Sequence, residues 1–210
     1  EKFNDTSFII SSGDQVNTST SEKEYEGFLE HNALKGLRMA TVVGNHDSGA
    51  QNYSDHFYAP NVANDSGTKG TGKSGGDYWF KYNGVLFMML NSNNTNTEEH
   101  KKFMQETISE NSDINWKVVA FHHSIYSAGA HSDSGDILMR REQWAPLFSE
   151  MNIDAVLMGH DHVYTRTFMM NGTTPKNTES GAQSSVTNPE NGDVVYLSLI
   201  HISEPTRLRC

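Results

Sequence analysis

Cysteine is almost absent from this chain: there is one, Cys210, at the last of 210 positions. A single thiol cannot close an intramolecular disulfide or build a thiolate zinc site, so neither device holds this fold together. Long apolar runs are missing as well. None approaches the roughly eighteen residues that mark a membrane-spanning helix, and no membrane segment is expected. Basic residues are scattered apart from short clusters such as Arg140-Arg141, within a formal net charge of -10. A nucleic-acid groove draws on a contiguous basic surface, so no nucleic-acid partner is expected. A phosphorylated substrate stays compatible with so acidic a chain if metal ions supply positive charge locally.

What is present suits one soluble-type domain over residues 1–210. At 210 residues the chain is long enough for one substantial core and too short for two comfortable ones, and its 35% hydrophobic content is ordinary. Short apolar runs alternate with amphipathic stretches, the pattern of a layered α/β protein. Phe8 to Ile10, Met39 to Val43, Trp116 to Phe121 and Ala155 to Met158 read as buried strands. Tyr78 to Tyr82 and Val85 to Leu90 flank Asn83-Gly84, a strong hairpin signal. Helices are expected over Glu22 to Leu34, Thr97 to Ile108 and Arg141 to Met151. Asp65 to Asp77 is a glycine-rich loop. Val163 to Met170 and Val194 to Ile200 read as strands joined by a polar connector over 171–193. Met88, Met89, Met169 and Met170 are packing residues on this reading, not soft-metal ligands.

Metal-competent residues collect where these strands end. Asp14, Asn45, His122, His160 and His162 each lie just after an apolar run. In α/β sheets the carboxyl ends of parallel strands gather along one edge, so topology brings distant residues together there. Carboxylate, amide oxygen and imidazole form a donor set that suits Zn, Mn or Fe. A bridging carboxylate could hold two ions roughly 3.5–4 Å apart, a clamp for a phosphoryl group. A lone Gly-Asp is only a turn, and Gly44-Asn45-His46-Asp47 alone reads as a polar loop. Two imidazoles at the end of a core strand are harder to dismiss.

The ordered set Gly13-Asp14, Gly44-Asn45-His46-Asp47, His122 and Gly159-His160-Asp161-His162 resembles the calcineurin-like metallophosphoesterase superfamily. The runs Phe121-His122-His123-Ser124-Ile125-Tyr126 and Gly159-His160-Asp161-His162-Val163-Tyr164 are similar to its bacterial purple-acid-phosphatase-like branch. The resemblance implies a sandwich of two sheets flanked by helices. It also implies phosphomonoester hydrolysis by in-line attack of a metal-bound hydroxide, with phosphodiester or nucleotide hydrolysis as the alternative on the same core. A small phosphorylated molecule or a phosphoprotein would be the substrate, and an extracellular or cell-surface setting is implied as well. Asp14 would bridge two divalent ions, Zn, Mn or Fe. Asn45, His122 and His160 would complete the second ion's sphere, and His162 would serve the first. His46 would stabilise the phosphoryl group, and His131 would stand on the substrate side and protonate the leaving group. His123 reads as a support or surface histidine, and Asp161 as a non-ligand.

Two departures from the family pattern are visible. Asn17 stands where purple members place the tyrosine that binds ferric iron, so a purple ferric centre is not expected. The family's first aspartate lies on a strand well upstream of Gly-Asp, whereas Glu1 lies close before Asp14. The expectation is therefore that the N-terminal strand and helix are missing, that the first ion's sphere is incomplete, and that this stretch alone could be a metal-binding domain without turnover.

Overall fold

A computed structural model describes residues 6–32, 34–63, 74–176, 178 and 189–199. In chain order the elements begin with β1 (Phe8–Ser11), α1 (Glu22–Leu29), β2 (Arg38–Thr41) and α2 (Asn52–His56). The hairpin β3 (Tyr78–Tyr82) and β4 (Val85–Met89) follows, then α3 (Thr97–Glu110), β5 (Trp116–Ala120) and α4 (Gly135–Glu150). Last come β6 (Ala155–Met158), β7 (Thr165–Arg166), β8 (Met170–Asn171), β9 (Thr174–Pro175) and β10 (Asp193–Ser198). Cys210 lies outside the described residues. Among those described, no helix is long and apolar enough to cross a membrane.

Two sheets form. The small one pairs β1 with β2 in parallel, and the large one runs β3-β4-β5-β6-β10-β8-β9, with β7 also paired to β10. β4, β5, β6 and β10 are mutually parallel neighbours, so their carboxyl ends share one edge. Side chains alternate between the faces of a strand, and the core follows that rule. Leu86, Met88, Val119, Val156 and Met158 point to one face, where Phe103 and Met104 of α3 and Trp144 and Phe148 of α4 cover them. Met89, Ala120, Phe87 and Leu157 point to the other face, where Ile10 of β1 and Ala40 of β2 pack. A sheet apolar on both faces needs a layer on each, and the result is a two-sheet α/β sandwich flanked by helices.

Local chemistry accounts for the element bounds. Asn83 and Gly84 both take positive φ, 48° and 79°, the geometry of a two-residue turn whose twist matches its strands. α1 stops at Leu29, short of the expected Leu34, because tighter turn bonds replace the helical ladder. Leu34 N–H donates to the His31 carbonyl and Lys35 N–H to Asn32. α4 begins at Gly135, earlier than expected, because Ile137 and Arg140 are buried and extend its inner face. Pro146 inside α4 forgoes one helical bond, a defect of about 3 kcal/mol that burial of Ala145, Leu147 and Phe148 outweighs. The expected strand over Val163 to Met170 is only two short pieces, β7 and the start of β8. The connector over 171–193 opens with the β8–β9 hairpin, and its positions 177 and 179–188 lie outside the described residues.

A buried ion pair ties the β3 entry to α3. His100 Nδ1 meets Asp77 Oδ2 at 2.5 Å, and its Nε2 meets the Asn94 carbonyl at 2.9 Å. Both partners only accept, so both ring nitrogens carry protons and the ring is an imidazolium. The side chains are 1% and 0% exposed. Burial pushes the His100 pKa down, but the charge and hydrogen bond of Asp77, with the Asn94 carbonyl, hold it above the ordinary 6.5. A raised histidine pKa gives stability that is complete below the unfolded value and is lost as pH rises through the folded value. His100→Gln should therefore destabilise the fold by about 3 kcal/mol in acid to neutral solution, and by less as alkali discharges the wild-type ring. Denaturant unfolding of both proteins over a pH series checks this. A gap that stays constant with rising pH would mean that the native ring is uncharged.

Candidate metal centre

The site forms where the hydrogen-bonding of the sheets runs one step past the strands. Gly159 N–H donates to the His122 carbonyl at 2.9 Å, which carries the β5–β6 pairing onward and sets His122 beside His160. Val42 N–H donates to the Ser11 carbonyl at 3.1 Å and does the same for the small sheet. At this edge the layers are joined by a bond from His122 Nδ1 to the Ser12 carbonyl at 2.7 Å. A carbonyl only accepts, so Nδ1 holds the proton and Nε2 turns its lone pair inward.

Three further ligand atoms converge on that lone pair. His122 Nε2 lies 2.9 Å from Asn45 Oδ1, 3.1 Å from His160 Nδ1 and 3.2 Å from Asp14 Oδ2. His160 Nδ1 is 3.0 Å from Asn45 Oδ1. Asp14, His122 and His160 form the group of titratable ligands found together among the described residues. The Asp14 oxygen, the Asn45 oxygen and the His122 nitrogen all present electron pairs to one point. Only a proton on His160 or a cation can satisfy them, and the mixed O and N set fits a borderline divalent metal.

The backbone is bent to achieve this. Asp14, His160 and His162 take left-handed φ of 54°, 69° and 55°. Each such residue costs about 1–2 kcal/mol, a strain that collects at functional sites when the surroundings hold it. Gly44 has no room for a side chain: a Cβ there would collide with the Asp14 carboxylate and its amide nitrogen. Burial and the neighbouring His122 and His131 push His160 down to about 4, so the ring stays neutral and ready to coordinate.

Other expected residues stand around this point. The His46 amide donates to Asp14 Oδ1 at 3.0 Å, and its ring Nδ1 donates to the Asn17 carbonyl at 2.9 Å. The His131 ring lies 4.6 Å from the His160 ring, centroid to centroid. His162 is exposed and is not in the Asp14, His122, His160 group. His123 is buried against the rings of both His122 and His160, at 5.3 and 4.9 Å between centroids, and bonds Ser92 Oγ through Nδ1 at 2.8 Å. It is a buried neighbour of the ligands rather than a surface histidine.

Two supporting carboxylates carry more than their sequence suggests. Asp47 is 0% exposed and accepts the Gly44, Gln15 and Val16 amides at 2.8, 3.4 and 3.2 Å, clamping both ligand loops. Burial pushes its carboxyl up to about 6 although the Gly44 and Val16 amides pull the other way, and the charge on Asp14 adds to the rise. Asp161 holds His131. Each stood in a quoted motif, but nothing in a sequence distinguishes a buried carboxylate that gathers amides from one on a polar loop.

The sequence model of the family described as Calcineurin-like phosphoesterase matches residues 1–164. An uncharacterised protein of Mycobacterium tuberculosis, found in two strains, is 31% identical over 77 residues, 35% of this chain and 14% of that protein. Purple acid phosphatase 17 of Arabidopsis thaliana is 33% identical over 57 residues, 27% of this chain and 16% of that protein. The matched stretches are thus a small part of those relatives. Purple acid phosphatase PPD1 from yellow lupin (Lupinus luteus) seeds shares the fold, with a TM-score of 0.68 at 16% identity, over 91% of this chain and 36% of that one. GAP50, the anchor in the inner membrane complex of Plasmodium, superposes at 0.54 and 15% identity, over 92% and 61%.

The Asp47 clamp generates a prediction. Asp47→Ala leaves three backbone N–H groups without their acceptor and should destabilise the fold by about 3 kcal/mol. It should weaken metal binding in parallel, while Asp47→Asn, which keeps an acceptor oxygen, should lose less of both. Denaturant unfolding and isothermal metal titration measure the two effects. An alanine variant with wild-type stability and affinity would remove Asp47 from the support of the site.

Proposed function

Because the chain belongs to the calcineurin-like phosphoesterase family, we propose that it carries the metal centre of a hydrolase acting on phosphomonoesters. The observation that carries the reading is the convergence of Asp14 Oδ2, Asn45 Oδ1 and His122 Nε2 on one point beside His160 Nδ1. A small phosphorylated molecule or a phosphoprotein is the proposed substrate, and an extracellular or cell-surface setting goes with the resemblance.

The proposed cofactor is a pair of divalent ions, Zn, Mn or Fe. Asp14 would bridge them, Asn45, His122 and His160 would complete one sphere, and His162 would belong to the other. When bound, such ions polarise phosphoryl oxygens and lower the pKa of the attacking water. Asn17 has no phenolate to offer, which favours a colourless centre over a ferric one. The chain's own residues do the rest. His46 is anchored at Nδ1 by the Asn17 carbonyl, which leaves Nε2 to face the charge that grows on the phosphoryl oxygens. His131, whose ring lies 4.6 Å from that of His160, would hand a proton to the leaving oxygen.

Two substitutions test this in the metal-loaded protein. His160→Ala removes a ligand atom and should abolish activity together with tightly bound metal. His46→Ala should keep most of the metal and lower kcat by about 10²–10³, with KM less affected. Metal analysis and hydrolysis of aryl monoesters and diesters on the wild type and both variants give the answer. Cleavage of diesters alone would move the assignment to phosphodiester or nucleotide hydrolysis. Inertness with metal bound would leave a metal-binding domain without turnover.

A further inference from the structure

The loop after β5 and the turn after β6 share an ion pair that the metal ligands do not use. Asp161 lies between His160 and His162, with its side chain 0% exposed. Its Oδ1 meets the ring Nδ1 of His131 at 2.7 Å and accepts the main-chain N–H of the same residue at 3.1 Å. The His131 side chain is 55% exposed, and its ring rests 4.6 Å from that of His160. A Cβ at Gly129 would lie 2.5 Å from the Asp161 Cβ, so only a glycine lets the loop close over the carboxylate. Gly129 N–H in turn donates to Ser127 Oγ at 2.9 Å and fixes that approach.

A tether for the loop would need only the main-chain bond. The second bond, to the ring, has a chemical consequence. Asp161 Oδ1 already accepts the His131 main-chain N–H, so the same oxygen is the acceptor for the ring as well. The proton on His131 therefore sits on Nδ1, and the ring cannot rotate without losing the bond. Nε2, on the opposite side of the ring, is directed away from the buried carboxylate.

We propose that Asp161 is a positioning residue that holds His131 in the Nδ1–H tautomer, with Nε2 presented to the leaving oxygen of the substrate. This deepens the phosphatase reading above and rests on it. In the step, the bond from phosphorus to the leaving oxygen breaks with its electron pair on that oxygen. A bond forms from the oxygen of the attacking water to phosphorus. The leaving oxygen takes the proton from His131 Nε2, and the ring keeps its proton at Nδ1. The proton released by the water goes to solvent, from which Nε2 is recharged.

The test joins a spectroscopic readout to a kinetic one on the metal-loaded wild type, Asp161→Asn, Asp161→Ala and His131→Gln. Ring-nitrogen NMR should show His131 as the Nδ1–H tautomer in the wild type, with the Nε2–H form appearing in Asp161→Ala. Hydrolysis of glycerol phosphate, whose alkoxide leaves badly, should drop about 10²-fold in kcat in Asp161→Ala and His131→Gln alike. Hydrolysis of 4-nitrophenyl phosphate, whose anion needs no proton, should change by only a few-fold. The double variant should be no worse than His131→Gln, because the two residues act as one unit. Asp161→Asn still accepts both N–H groups and guards against a mere folding defect; it should keep the wild-type tautomer and lie between wild type and alanine in rate. An unchanged tautomer in Asp161→Ala, or equal losses on both substrates with metal retained, would overturn the proposal. A metal-loaded wild type inert toward both substrates would overturn the phosphatase reading, and the tautomer comparison would still decide whether Asp161 sets His131.

Discussion

Electron pairs repel, and the centre of this molecule holds three of them against one another with no internal proton to spare. The Asp14 carboxylate, the Asn45 amide oxygen and His122 Nε2 all face inward, and the Ser12 carbonyl keeps the His122 proton on the far side of its ring. Without a counter-charge, such an arrangement opens. It persists because each ligand is fixed from behind: Asp14 by the His46 amide, His122 by Ser12, and the Asp14 and Asn45 loops together by the buried Asp47. Left-handed backbone at Asp14 and His160 adds about 1–2 kcal/mol of strain per residue to the same account. A cation at that point relieves the repulsion, and a shell so firmly held needs little rearrangement to accept one.

The sandwich exists in a form that serves this point. Period-two alternation in β4, β5 and β6 makes both faces of the large sheet apolar, so the small sheet must lie on one and α3 and α4 on the other. Stacking the sheets places the end of β1 against the ends of β5 and β6. There a hydrogen bond from His122 to Ser12 ties the layers at the site, as the one from the Tyr78 hydroxyl to the Thr41 carbonyl does further along. A side chain at Gly159 would meet the Ser12 carbonyl at 2.7 Å, so the layers could not approach so closely with any other residue there.

Much of this was legible in the sequence because it depends on local pattern. Apolar runs gave the strands of the core, Asn83-Gly84 gave the hairpin, and parallel topology gave the gathering of Asp14, Asn45, His122 and His160. What was not legible depends on contacts between distant residues. Asp161 and His131 are thirty positions apart and read as a non-ligand and a substrate-side histidine, with no link between them until the turn and the loop are folded together. His100 and Asp77 read as a helix residue and a loop end, although folding brings them together as a buried ion pair. α2 is too short to show a period, and the early start of α4 rests on the burial of Ile137 and Arg140. In each case a pattern one residue long had to be completed by a partner that only the fold supplies.

Charge supplies the last step. A phosphate monoester is an anion, and the chain as a whole is negative at -10. Arginine is the usual protein answer to phosphate, and α4 carries two arginines toward the loop that follows β5. Both are already engaged. Arg140 is 4% exposed and bonds the Ser92 carbonyl and Asp136. Arg141 bonds the Ile125 and Ser132 carbonyls and lies over the Tyr126 ring at 5.2 Å. Moving either guanidinium onto a substrate would leave several carbonyls without donors, at about 1–3 kcal/mol for each one buried. On the proposed reading, neither α4 guanidinium would serve a phosphoryl group, and bound cations with the histidines around them would attract it. Affinity for the ester and affinity for the metal would then be linked, because the same four ligand atoms would set both.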